Sequence, residues 1–238
     1  MSAGMLKRGV LLACSLAGCI NPDAPQQRLA DLTGATVSVK AKVDPTGNTL
    51  TIDLIASDCF SITDDVTAEV NSKAATITSR GTIENSYVDE STSCKWPSFT
   101  VENAPALPGL ISSLQIKDAN TTFRMEVRDL LTNDLAPASA MVPGRPLILM
   151  WPSATTIKGA FATFYDGRGS PMLSSNDGGW RVTGHELELD VPAKLQGTGV
   201  LKVGAWREPP VMTCEGGIAK CSVVLTVNPE FTLTIQNP

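Results

Sequence analysis

The residues whose types could do chemistry are few and widely spaced. His185 is the single histidine of the 238-residue chain. It stands in Thr183-Gly184-His185-Glu186, where a turn leads into a strand. A histidine base of the Ser-His-Asp kind needs a nucleophile within hydrogen-bond reach, and the Gly-x-Ser-x-Gly signature is absent. Gly167-Arg168-Gly169-Ser170-Pro171 comes close but lacks the final glycine and reads as a loop. Glu186, Glu188 and Asp190 alternate along one strand and share a face. Glycoside hydrolysis uses two carboxylates that flank a bond, but this trio reads as the solvated face opposite Leu187, Leu189 and Val191. Acidic groups at Asp64-Asp65, Asp89-Glu90 and Asn176-Asp177-Gly178-Gly179 raise calcium, which takes about six to eight oxygen ligands. None has the Asp-x-Asp-x-Asp-Gly register, so they read as turns, with 176–179 the first place to look for an ion. The expectation is a non-enzyme with no cofactor and no metal.

Aromatic side chains offer a different chemistry. An exposed indole can stack on a sugar ring, and the four tryptophans are Trp96, Trp151, Trp180 and Trp206. Trp180 follows a Gly-Gly pair, and Trp206 ends an alternating run beside Arg207. These two are the candidate ligand-binding residues, and core packing is the competing reading, favoured for Trp151.

The elements that would position these residues are strands. Apolar residues recur with period two at Ala35/Val37/Val39/Ala41/Val43 and again at Leu50/Ile52/Leu54. Asp44-Pro45-Thr46-Gly47-Asn48 lies between them, which predicts a hairpin with a longer loop. Similar runs stand at Val66–Val70, Ala75/Ile77, Phe99/Val101 and Phe123–Val127. In the second half they stand at Leu147–Trp151, Leu187–Val191, Leu201–Ala205, Val223–Val227 and Phe231–Ile235, and Gly159–Tyr165 is a near-continuous apolar-aromatic run. Asn133-Asp134, Pro137, Pro143-Gly144 and Pro146 interrupt the pattern and predict a boundary near 137–144. Short strands without helical periodicity predict an all-β chain of two consecutive Greek-key β-sandwich domains, 34–137 and 144–238. This architecture resembles tandem immunoglobulin-like modules. The resemblance is one of pattern: Trp96 follows Cys94 and does not lie between a cysteine pair, so no functional residue carries over.

At the start, Lys7-Arg8 precedes an apolar run, Gly9–Ala13, and then Leu16-Ala17-Gly18-Cys19. This resembles the signal peptide and lipobox of bacterial lipoproteins. The resemblance implies cleavage before Cys19, lipid on its thiol, and anchoring by two or three acyl chains. Residues 1–18 are then the signal peptide, with Met1 or Met5 as its start, and the polar stretch 19–33 a tether. A cut after Ala17 in an ordinary secreted protein is the alternative. Ile20, where some lineages use Asp for inner-membrane retention, points to the outer membrane.

With Cys14 and Cys19 assigned to the leader and the lipid, Cys59, Cys94, Cys214 and Cys221 form an even set, as an oxidising compartment would predict. Three pairings are open, and proximity favours Cys59–Cys94 and Cys214–Cys221. The Cys214–Cys221 spacing is not Cys-x-x-Cys, so a structural staple is expected there and not a redox centre. The chain carries a net charge of −5, and cleavage would remove Lys7 and Arg8 but no acid. Basic clusters for nucleic acid are lacking, so no nucleic-acid partner is expected. The functional expectation is an envelope lipoprotein with a structural or protein-binding role. The alternative is glycan binding through exposed tryptophan, and an envelope hydrolase ranks below both.

Overall fold

The computed structural model describes residues 24–85, 92–107, 110–137, 140–151, 156–174 and 179–235. The leader, Cys19, Asp89-Glu90 and residues 176–178 lie outside the described residues. One 3-10 turn, Leu29–Asp31, accompanies strands throughout the described residues. The first half contains β1 (Gln26–Gln27), β2 (Thr36–Asp44), β3 (Gly47–Ile55), β4 (Ser61–Ile62), β5 (Thr67–Val70), β6 (Lys73–Ala74) and β7 (Thr76–Ser79). It continues with β8 (Thr82–Asn85), β9 (Thr92–Lys95), β10 (Ser98–Glu102), β11 (Ile111–Lys117), β12 (Thr122–Arg128) and β13 (Ala136–Pro137). The second half contains β14 (Pro146–Met150), β15 (Gly159–Asp166), β16 (Pro171–Ser174), β17 (Trp180–Thr183) and β18 (Glu186–Asp190). It ends with β19 (Thr198–Arg207), β20 (Val211–Glu215), β21 (Lys220–Val227) and β22 (Glu230–Thr234).

Alternation becomes one-sided burial, as period two requires. Val37, Val39 and Ala41 of β2 and Leu50, Ile52 and Leu54 of β3 are buried, while Lys40 and Lys42 between them are exposed. The β2–β3 hairpin is tighter than expected: Asp44 pairs with Gly47, so only Pro45 and Thr46 form its loop. Asn71 and Ser72, both at positive φ, turn β5 back onto β6. The chain then crosses to the other sheet, so the expected Ala75/Ile77 run becomes β7 beside β10.

The fold is all-β, built as stacked β-sheets. A nine-stranded sheet has the order β16-β15-β19-β21-β2-β3-β10-β7, with β22 also beside β19. A five-stranded sheet, β20-β12-β11-β5-β6, supplies the second layer in the first half. A four-stranded sheet, β13-β14-β18-β17, does so in the second. Inward residues of all three sheets, such as Phe99, Phe123 and Leu187, belong to one continuous core.

Two expectations about organisation need correction. The division into 34–137 and 144–238 follows strand order but not hydrogen bonding. β21 pairs in parallel with β2 from Thr36↔Lys220 to Val43↔Val227, and β20 pairs with β12. Residues 211–227 therefore complete the first sandwich and cover β2, which would otherwise be an open edge. The expected tether is also shorter at its distal end. Ala24, Leu29 and Leu32 are buried, and β1 pairs in parallel with β4. Asp118 accepts the Leu29 N–H at 3.0 Å and fixes this segment. Burial works to raise the Asp118 pKa, but the N–H groups of Asn120, Thr121 and Leu29 outweigh it and hold the carboxyl below the usual aspartate value.

Both disulfides pair as expected, with Cα separations of 5.1 Å for Cys59–Cys94 and 5.9 Å for Cys214–Cys221. The first ties the β8–β9 hairpin to the segment before β4. The second joins β20 in one sheet to β21 in the other, so it staples the two layers as well as the turn. Gly216 and Gly217, at φ 96° and 90°, make that turn.

Arg207 lies fully buried at the end of β19, where the halves meet. Its guanidinium stacks 4.6 Å from the Trp151 ring centre. One terminal nitrogen donates to the carbonyls of Asp129 and Thr132, at 3.1 and 3.2 Å. Burial lowers its pKa from the ordinary guanidinium value, against the opposing pull of Asp134 and Asp129.

Two stability predictions follow from these contacts. Arg207→Ala is expected to cost about 2–4 kcal/mol in equilibrium unfolding, because it strands two carbonyls and uncovers Trp151. Arg207→Lys should recover less than half of that, since an ammonium cannot stack as a plane. For the disulfides, loss of Cys59–Cys94, with a sequence separation of 35, is expected to cost about 4 kcal/mol. Loss of Cys214–Cys221, with a separation of 7, should cost about 2 kcal/mol. Urea titrations of the paired Cys→Ala variants give the order, and the reverse order would refute this assignment.

Candidate functional site

The feature that stands out on the surface is built from a repeated tripeptide. Gly159-Ala160-Phe161 opens β15, and Gly204-Ala205-Trp206 lies near the end of β19. The strands are antiparallel, so the two copies meet as complements: Gly159 faces Trp206, Ala160 faces Ala205, and Phe161 faces Gly204. Both alanines point into the core at 2% exposure or less. The glycines and aromatics therefore share the outer face.

Each ring lies over the glycine of the neighbouring strand. A Cβ placed on Gly159 would fall inside the Trp206 indole, and one on Gly204 inside the Phe161 ring. The rings cover the glycine backbone, as in aromatic rescue of strand glycines. They leave their opposite sides to solvent: Phe161 is 53% exposed and Trp206 39%.

Two residues further along each strand the face turns polar. Thr163 faces Lys202, and Tyr165 faces Val200. Lys202 pairs with Glu230 of β22 at 2.8 Å and lies 5.9 Å from the Tyr165 ring centre. The hydrogen bond that Lys202 donates to Glu230 raises the Lys202 pKa, so the ammonium stays charged at neutral pH. Tyr165, Val200, Lys202, Glu230 and the Asp166–Gly169 turn line an open groove of about 530 Å³. Asp166 accepts the N–H groups of Arg168 and Ser170, both at 2.8 Å, and these hold its pKa down.

Trp206 is thus where an exposed platform was expected, and Trp180 is not part of it. Trp180 lies on β17 opposite Leu189, half-buried against the core, in the other sheet of the second half. Its side chain follows Leu189 inward, because residues directly opposite share a face. Phe161 takes its place as the partner of Trp206. The repeated Gly-Ala-aromatic tripeptide was the available signal, and it becomes informative only once the register is known. Trp151 is fully buried as expected, and Trp96 lies against Phe60 at 5.9 Å between ring centres.

Four of the acidic candidates, Glu188, Asp190, Asp64 and Asp65, have structural partners. Glu188 accepts two hydrogen bonds from Arg181, at 2.7 and 3.2 Å, and Asp190 lies 3.7 Å from the same guanidinium. The Arg181 hydrogen bond lowers the Glu188 pKa. Asp64 pairs with Arg80 at 3.1 Å, and Asp65 accepts the Ala119 N–H. His185 occupies the turn between β17 and β18, where its carbonyl accepts the Trp151 N–H at 2.8 Å. No cluster of three metal-ligating side chains occurs among the described residues.

Fold and surface define a class: an all-β, disulfide-bonded pair of β-sandwiches that share one sheet. The disulfides place the folded chain outside the reducing cytoplasm, in a secreted or envelope setting. No helix among the described residues is long and apolar enough to cross a membrane. No family model and no curated protein sequence matches the chain. Among solved structures it is similar to the I9–I11 tandem of titin, with 9% identity and a TM-score of 0.26. The likeness covers 86% of this chain and 64% of the titin chain, just under two thirds of that longer protein.

Since both rings sit outside the core, Phe161→Ala and Trp206→Ala are each expected to change unfolding free energy by about 1 kcal/mol or less. Gly204→Leu should cost more than either, because it must lift Phe161 from the sheet. A larger loss from Trp206→Ala than from Gly204→Leu in thermal unfolding would show that the rings serve packing.

Proposed function

We propose that this chain is a lipid-anchored envelope protein that works by binding and not by catalysis. The observation that carries the reading is the ring pair Phe161 and Trp206, seated over glycines of the sheet and open to solvent. Immobilised aromatic surface with little side-chain entropy to lose is well suited to recognition. The carboxylates support the same view. Every one with a resolved shift, at Asp44, Asp65, Asp118, Asp166 and Glu188, is moved down. A general acid working at neutral pH needs the opposite shift.

Anchoring rests on the lipobox resemblance of Leu16-Ala17-Gly18-Cys19, and Ile20 after it favours the outer membrane. Two disulfides agree with export. Residues 24–33 pack on the first sandwich, so the span between Cys19 and Ala24 is short. The protein would stand close to the lipid surface with its second half carrying the ring pair.

Cys19→Ser is expected to move the protein from the membrane to the soluble fraction, and unchanged fractionation would refute the anchor. For the binding reading, labelled Cys19→Ser protein, which lacks the lipid, should sediment with isolated cell envelopes. Phe161→Ala/Trp206→Ala should abolish most of that sedimentation, and equal retention of the double variant would refute the assigned surface.

A further inference from the structure

We infer that the outer face of the β15–β19 ladder is a binding track for an extended, neutral, β-linked hexopyranose chain; this rests on the binding reading above and names its ligand. Four observations converge on it. First, the rings of Trp206 and Phe161 cover Gly159 and Gly204 and stay 39% and 53% exposed, so aromatic surface is left open on the outer side of the sheet. A pyranose with equatorial substituents has a face of C–H groups that stacks on such a ring, while its hydroxyls point sideways. Second, the track is linear. Gly159 with Trp206, then Phe161, Thr163 and Tyr165 occupy successive outward positions of one ladder. Six residues at about 3.4 Å each give a track of roughly 20 Å, long enough for several sugar rings in a row.

Third, polar groups lie along and beyond the rings where hydroxyls would fall. Thr163 and Lys202 stand between Phe161 and Tyr165. Tyr165, Lys202, Glu230 and Asp166 meet at the groove that ends the track. Glu230 and Asp166 offer acceptors, and Lys202 and the Tyr165 hydroxyl offer donors. Fourth, the charges beside the track are already matched. Lys202 pairs with Glu230, and at the other end Lys158 lies 3.7 Å from Glu208. A chain bearing a charge on every residue would have to break these pairs, whereas a neutral glycan would not.

The linkage follows from flatness. A β-1,4-linked chain of equatorial sugars is extended and ribbon-like, so it can lie along a straight ladder. An α-1,4-linked chain curves away from it. A docked protein would bury a broad patch, whereas here a narrow pair of rings is bordered by Thr163, Thr226 and the ion pairs.

The test uses the purified full-length protein in detergent with cellohexaose, N-acetylchitohexaose and, as the curved control, maltohexaose. Isothermal titration should show saturable binding of at least one β-linked probe. Phe161→Ala and Trp206→Ala should each weaken it about tenfold or more. Phe161→Tyr and Trp206→Phe, which keep a ring over each glycine, should stay within about threefold of the parent. Thermal unfolding of each variant shows whether a loss of binding is a loss of fold. Absence of binding to both β-linked probes at about 1 mM, indifference to loss of the rings, or equal binding of maltohexaose would overturn the proposal. Envelope sedimentation that survives glycan oxidation by periodate but needs Trp206 would overturn the glycan and leave the binding reading standing.

Discussion

The structure depends on one strand having two neighbours. β21 runs in parallel beside β2 for its whole length and, at its last three paired residues, lies antiparallel to β19. That meeting point joins two sandwiches into one nine-stranded sheet. Asn228 then donates to Asp44 at 2.7 Å, and its own N–H reaches the Val43 carbonyl, so the chain leaves β21 held to the first half. Val203 donates to the Pro229 carbonyl as β22 takes over beside β19. Proline fits there because it has no N–H to lose.

Arg207 closes the same junction from within. An arginine in a core is costly unless its donors are satisfied. Here the cost is offset by Trp151 from the second half and by carbonyls from the turn after β12 in the first. The disulfide Cys214–Cys221 lies on the adjoining β20–β21 turn and links the layers of the first sandwich. Hydrogen bonding, a buried cation and a covalent bond therefore act at one seam. Modules joined by a flexible linker would move independently; this seam makes the outer face a single platform.

The sequence discloses local pattern better than partnership. Period two marked β2, β3, β10 and β12 because their inward sides are uniformly apolar. It failed for β11, where Ile111 points outward at 43% exposure and Ser112 points inward at 2%. Ser112 is tolerated there because its hydroxyl meets the Asn71 amide at 3.2 Å, a contact across 41 positions that no local window contains. The segment 24–33 misled for a similar reason: Leu29 and Leu32 are two apolar residues in a polar setting, and their burial depends on Asp118. The cysteine pairing was legible because proximity and topology agreed. That the last forty residues serve both halves was not, since β-pairing partners are set by register and not by composition.

The ring pair shows how the same seam shapes the surface. Strand interiors disfavour glycine, which weakens the ladder and leaves backbone uncovered. Two glycines facing two aromatics remove that weakness, because each ring covers the gap left opposite it. Both rings then lose freedom before any ligand arrives. Trp206 sits one residue before Arg207, so the strand that presents the indole outward buries the guanidinium inward. Its partner Thr226 lies on β21, the strand that joins the halves. Loosening the seam would tilt β19 against β15, and the rings would no longer meet their glycines squarely. Rigidity at the junction and the seating of each ring over its glycine are therefore two consequences of one strand register.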